Sequence, residues 1–201
     1  MKKLSPLFVL FLLTAAIKID AQTKASDAEI GVVINGVCWA TRNVDVPGAF
    51  AATPESIGKF YQWSRMVAYP ATGEVAKWDE TTPFVTDWDP VNDPCPDAWR
   101  LPTYTELQTL VSADGNWTTQ NDVGGYVFGV APNIVFLPAA GYRNAGDGKL
   151  DEAGTLGFYW TSTWNANGIN SFAYYLLFDN THATTTINSG RFGFPVRCVK
   201  E

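Results

Sequence analysis

One stretch of this chain carries a complete helix-start signal, Cys95 to Val111, which reads CPDAWRLPTYTELQTLV. Thr103 is placed to cap a helix, and Glu106, three residues on, can return a hydrogen bond to the Thr103 backbone N–H. That T-x-x-E arrangement is a capping box. Tyr104, Leu107, Leu110 and Val111 then fall on one helical face, and Asp114-Gly115 offers a stop. The natural partner of this stretch is the far end of the chain, GFPVRCVK, which carries Cys198.

The N-terminus reads as an export signal. Lys2 and Lys3 precede an apolar run from Leu4 to Ala16, and a small-residue exit follows at Ala21. A membrane-spanning helix needs about 20 apolar residues, and this run is shorter. Residues 1–21 are therefore expected to be a signal peptide, with no membrane insertion after its removal. Loss of Lys2, Lys3, Lys18 and Asp20 takes the formal net charge from −6 to −8. So negative a balance argues against nucleic acid, whose phosphates require a basic patch. Residues 22–30 read as a short flexible leader, and residues 31–201 as a single domain without linkers or fixed-period repeats.

Within that domain, Asn35-Gly36 between β-branched runs is a hairpin signal. A short helix is expected near Pro54 to Gly58, and an aromatic strand around Phe60 to Trp63. From Val67 to Pro94 periodicity disappears, and a loop of that length is usually functional or tied down by its own anchors. A Gly-rich passage follows the capped helix. Strand-like segments then occupy Asn133–Asn144, Leu156–Trp164, Ser171–Asp179, Thr181–Ile187 and Gly193–Lys200, an antiparallel meander. One or two early helices before late strands predict the α+β class.

Several phrases together, GVCWATRNVD, FYQWSR, CPDAWRLPTYTEL, LPAAGYRN, GFYWTST, YYLLF and GFPVRCV, resemble the Fibrobacter succinogenes major paralogous domain. That is a group of secreted or surface proteins of Bacteroidetes and Fibrobacteres. The resemblance implies a C-type lectin-like fold, with antiparallel sheets, one or two flanking helices and a long loop region. Gly31–Val44 is then expected in one sheet with Phe194–Val199. It also implies a disulfide between Cys95 and Cys198, although Cys38, in a strand beside the C-terminal one, competes for either partner. Otherwise Cys38 reads as a buried inert thiol. WRLPTYTEL is similar to a phrase of formylglycine-generating enzymes, but their paired C-terminal cysteines have no counterpart here.

Chemistry is sparse. The single histidine, His182, lies in a Thr-rich hairpin with no triad partner. Asp79, Glu80, Asp87, Asp89 and Asp93 are chemically competent for glycoside hydrolysis, yet nothing in their spacing sets a catalytic pair. No cofactor is expected. Zinc lacks a ligand spacing. Calcium lacks a ligand motif too, because Ala131-Pro132-Asn133 and Trp164-Asn165-Ala166-Asn167 have lost the oxygens that lectin-type sites use. Among eight tryptophans, Trp39, Trp63, Trp99 and Trp160 suit burial, whereas Trp78, Trp88, Trp117 and Trp164 sit in polar loops, as anchors or sugar-stacking rings. Tyr142, Arg143 and Asn144, with Trp164, Asn165 and Asn167, follow strand-like runs and are the expected ligand-binding residues. The expected function is an exported, non-enzymatic recognition module, periplasmic, cell-surface or extracellular, for a glycan or surface protein. A structural subunit or tip domain of a surface assembly is the alternative, and an enzyme the weakest reading.

Overall fold

The structure, a computed structural model, describes residues 30–83, 86–166 and 172–201. The expected signal peptide and most of the leader lie outside them. The chain opens with a hairpin of β1 (Gly31–Ile34) and β2 (Val37–Ala40), paired from Gly31↔Ala40 to Ile34↔Val37. Asn35 and Gly36 both have positive φ, 48° and 82°. That conformation matches the twist of the flanking strands. β3 (Tyr61–Gln62), a 3-10 turn at Pro90–Asn92 and β4 (Trp99–Arg100) follow, then α1 (Tyr104–Val111).

The remainder is strand: β5 (Gly115–Gln120), β6 (Val123–Val130), β7 (Asn133–Pro138), β8 (Tyr142–Arg143) and β9 (Leu150–Asp151). β10 (Gly157–Trp164), β11 (Phe172–Phe178), β12 (Ala183–Ser189), β13 (Gly193–Phe194) and β14 (Val199–Lys200) complete it. These form four antiparallel sheets, ordered β1-β2-β14-β4, β5-β6-β7, β3-β13-β8-β9 and β10-β11-β12. Of the five segments expected to form one meander, the middle three make the last of these sheets, while Asn133–Asn144 and Gly193–Lys200 divide among the other three.

The class is therefore predominantly β, which overturns the α+β, C-type lectin-like expectation. Two local events account for the change. Pro54 to Gly58 forms no helix; it starts in a turn closed by Ser56 N–H to Thr53 O at 3.2 Å. The Gly-rich passage after α1, to which the sequence assigned no element, forms β5 and β6, which join the expected strand at Asn133 in the sheet β5-β6-β7. Its hairpin turns on Asn121 and Asp122, at φ 46° and 64°, in place of the more legible Asn-Gly. Gly125 weakens the strand pattern but leaves needed room, since a Cβ there would lie 2.4 Å from Leu137 O and 2.6 Å from the Phe136 ring.

The chain ends meet as expected. Val199 pairs with Trp39 and with Arg100. Ala40 N–H donates to Cys198 O at 2.9 Å, and Val44 N–H to Val196 O at 3.0 Å. A disulfide joins Cys95 to Cys198, Cα atoms 6.1 Å apart, and Cys38 is a half-buried free thiol. The capping box forms as read: Glu106 N–H donates to Thr103 Oγ1 at 3.2 Å, and Thr103 N–H to Glu106 Oε2 at 2.8 Å. The buried Leu107 and Leu110 place α1 on a core of Trp39, Phe128 and Phe178. A second core gathers Trp63, Trp160 and Phe194. Trp160 and Phe194 stack with centroids 4.1 Å apart, and Trp63 stands edge-on to Trp160 at 5.4 Å.

Candidate functional site

Of the expected ligand-binding residues, Tyr142, Arg143, Asn144 and Asn165 make contacts within the framework. Arg143, on β8, is fully buried. Its guanidinium donates to Pro70 O at 2.6 Å, Gly73 O at 2.8 Å and Gly148 O at 3.0 Å, and lies over the Phe60 ring. It is a strut for the long loop. Asn144 Oδ1 accepts from Gly146 N–H at 2.9 Å, closing a turn. Tyr142 packs edge-on to Phe158 at 4.9 Å and Phe192 at 5.5 Å. Trp164 is half-buried at the far end of β10, and the buried Asn165 accepts from Tyr174 Oη at 3.3 Å. Phe158, which holds Tyr142, and Trp164 are six residues apart on β10, a separation of roughly 20 Å. The two groups do not converge, and Asn167 lies outside the described residues.

Nor do the loop tryptophans offer open rings. Trp78 donates to Ala145 O at 3.2 Å and packs on Tyr69. Trp117 meets Phe178, and Trp88 is buried edge-on to Trp63 at 5.0 Å. Anchoring is the role the packing gives all three.

A groove of about 650 Å³ opens where the segment from Asp87 to Arg100 folds over the end of β10 and the start of α1. The sequence builds this segment by alternating Asp and Pro, in Asp89-Pro90, Asp93-Pro94 and Pro96-Asp97. Proline excludes helix and ladder, and aspartate bonds nearby backbone N–H groups. Asp89 Oδ1 accepts from Val91 N–H at 3.1 Å, starting the 3-10 turn. Trp88 N–H donates to Ser162 O and Trp164 N–H to Asp87 Oδ1, both at 2.9 Å, which seats the segment on β10. The disulfide fastens its Cys95 to Cys198, immediately before β14.

Four carboxylates line the groove: Asp87, Asp93, Asp97 and Glu201. Asp93 is half-buried, and its two oxygens accept from Cys95 N–H at 2.9 Å and Leu101 N–H at 3.0 Å. Burial pushes its carboxyl above the usual range, against the pull of those two donors and of Arg100; Glu201 pushes the same way as burial. Arg100, the cation of the lining, is already taken. Nη1 and Nη2 donate to Glu106 Oε2 and Oε1 at 2.8 and 2.6 Å. Of the hydroxyls, Ser162 donates to Pro102 O at 3.3 Å and Thr163 Oγ1 accepts from Tyr104 N–H at 3.0 Å. Prolines 90 and 96 and the edges of Trp88 and Trp99 supply apolar wall.

The sequence reading named Asp87 and Asp93 as loop carboxylates but missed Asp97, Arg100 and Glu201. The Asp/Pro alternation was the available signal, while Glu201 reaches the groove only through the pairing of β14 with β4. Asp79 is engaged elsewhere, by Arg65 and by Thr81 N–H at 2.8 Å. His182 is exposed in the β11–β12 turn, 3.1 Å from Asp179. Among the described residues, no group of three or more His, Cys, Asp or Glu is gathered to hold a metal ion, and no helix is long and apolar enough to cross a membrane. Residues 116–199, from β5 to β14, are similar to a family described as a domain of unknown function, DUF8237. That segment includes Cys198 and the end of β10, but not Cys95 or the Asp/Pro run. No curated protein and no solved structure matches the chain.

Proposed function

We propose that the protein is an exported, non-enzymatic recognition module that binds a glycan or a protein at the bacterial cell surface. The observation that carries this reading is the groove beneath Cys95. It is a concavity lined by four carboxylates and one arginine, and its volume lies in the range of ligand sites. Export is supported by the N-terminal signal pattern and by the disulfide, which suits an oxidising compartment. On this reading the chain is a relative of the Fibrobacter succinogenes major paralogous domain proteins, without the lectin-like fold. The test is a glycan array with and without chelator, alongside surface-protein fractions, using the mature protein and an Asp97→Lys/Glu201→Lys variant. Binding that the variant loses is expected. Binding equal in both proteins removes the groove from the reading.

A second reading, a subunit of a surface assembly, is favoured by one patch. Val33 and Val130, 54% and 65% exposed, line a hollow of about 340 Å³ between the β1–β2 and β6–β7 turns. Large apolar side chains left this exposed beside one hollow are candidates for a protein contact. Co-purification in a stable complex that Val130→Lys disrupts would favour it.

A further inference from the structure

We propose that the groove takes a cationic peptide segment, a lysine- or arginine-bearing stretch of a partner protein, in preference to a sugar. The proposal rests on the groove being the binding site, and it assigns the chemical class of the occupant.

Charge is the first argument. Asp87, Asp93, Asp97 and Glu201 face one hollow, and among the described residues none of the four has an ion-pair partner. Arg100 offsets them only in part: both prongs of its guanidinium are spent on Glu106, and its charge acts on Asp93 and Glu201 without an ion pair to either. Such a two-pronged pair fixes the planar cation in one direction. The groove is therefore left with an excess of negative charge, in which Glu201 acts on Asp93 as a like charge that a bound cation would offset.

The second argument is rigidity. Asp93 cannot swing away from the groove wall, since its two oxygens are held by the Cys95 and Leu101 N–H groups. Cys95 is covalently bound to Cys198, immediately before β14, and Leu101 is buried. The negative charge thus stands at a set place before any ligand arrives, which is what lets electrostatic complementarity select a partner.

Aromatic geometry is the third argument, and it separates cations from sugars. A sugar ring stacks on an open aromatic face, yet Trp88 and Trp99 are only 5% and 7% exposed. The Trp88 Nε1–H is given to Asn92 O at 3.0 Å, and the Trp99 ring stands edge-on to Phe50. What remains is a wall of proline rings and tryptophan edges. The methylene stem of lysine or arginine lies well on such a wall while its charged end reaches the carboxylates. Val91, 75% exposed on the 3-10 turn beside the groove, adds apolar contact for a neighbouring peptide residue. The groove's size suits several residues of chain better than a lone ammonium group. The chain's net charge of −6 draws such a partner in.

The test uses the disulfide-bonded mature protein and three peptide amides of equal length: (Lys-Gly)3, (Ser-Gly)3 and (Glu-Gly)3. Calorimetric titrations are run at low salt and at about 0.5 M salt, where charge contacts are screened. Spermidine is titrated as a free-amine competitor. Two double variants are compared, Asp97→Lys/Glu201→Lys in the groove and Glu74→Lys/Glu80→Lys on the exposed long loop. They make the same charge change, and circular dichroism melts verify that both fold. The lysine peptide is expected to bind, to weaken at least tenfold in the groove variant and at high salt, and to keep its affinity in the loop variant. Equal weakening in both variants means unspecific attraction and overturns the proposal, as does spermidine matching the peptide. Glycan-array binding lost in the groove variant, with no lysine-peptide binding, overturns the cationic partner but leaves the groove as the site. Ligands bound equally by the wild type and the groove variant overturn both.

Discussion

Arg197 and Asn43 are joined across 154 residues of chain: Arg197 Nε donates to Asn43 Oδ1 at 2.9 Å, and both residues are fully buried. The same guanidinium donates to Ala40 O at 2.9 Å and Phe136 O at 3.1 Å. Asn43 in turn donates to Ile57 O at 2.9 Å and to the Tyr159 hydroxyl at 3.2 Å. Burial lowers the Arg197 pKa to about 10, so it remains a cation at neutral pH, satisfied by neutral oxygens. One side chain therefore ties the first sheet to β7 and to the last strand. Arg197→Met, which keeps length but leaves three acceptors bare, should cost about 3 kcal/mol or more. Arg197→Lys should recover little, because an ammonium cannot reproduce the fork. Urea unfolding measures both, and a loss under about 1 kcal/mol for Met would refute the strut role.

The disulfide closes a sequence separation of 103 residues. Chain-entropy arguments assign a loop of that size about 4–5 kcal/mol. Cys95→Ser/Cys198→Ser should lower stability by that order, and its thermal midpoint should no longer respond to reductant. Thiol titration in denaturant should find only Cys38 reactive before reduction. Peptide mapping that links Cys38 to either partner would contradict the pairing.

Acid sensitivity should trace to Glu106. Burial raises its pKa, but the bonds from Arg100 and from Thr103 outweigh that and hold it below the usual glutamate range. A carboxylate lowered in the fold binds its proton more readily when unfolded. The pair therefore stabilises above the unfolded pKa of about 4.3 and loses that contribution as pH falls through the lower folded value. Both partners are partly exposed, at 37% and 21%. Solvent screening then limits Glu106→Gln to a cost of about 1 kcal/mol at neutral pH. The two stability curves should converge as pH falls below the lowered folded value, and a gap persisting at the acid end would show that the pair is not the cause.

Two glycines separate packing from backbone freedom. A Cβ on Gly157 would lie 1.9 Å from the Phe178 ring, whereas one on Gly36, at φ 82°, meets nothing within 4 Å. Gly157→Ala must displace a core aromatic and should cost about 2–3 kcal/mol. Gly36→Ala strains only a turn and should cost about 1 kcal/mol. Chemical denaturation of both variants decides, and the reverse ranking would mean that Phe178 yields without cost.

By itself, the sequence determined what short-range chemistry controls. Asn35-Gly36 dictates a hairpin, Thr103 and Glu106 start α1, and strand-like runs spaced by Gly, Asn and Asp turns from Leu156 to Ile187 mark the meander, because each signal acts within a few residues. The meeting of the chain ends and the Cys95–Cys198 bridge were legible too, though only through resemblance. Tertiary structure decided the class. Gly124 and Gly125 speak against a strand locally, yet β6 forms because the neighbouring rings Trp117 and Phe136 occupy the space their side chains would need. It decided the site as well. Arg143 and Trp164 look alike on paper, as polar or aromatic residues after a strand, but burial and hydrogen bonding to distant carbonyls make Arg143 a strut. Asp93 and Glu201, more than a hundred residues apart, share a groove because strand pairing and a disulfide bring them together, and no local pattern records such contacts.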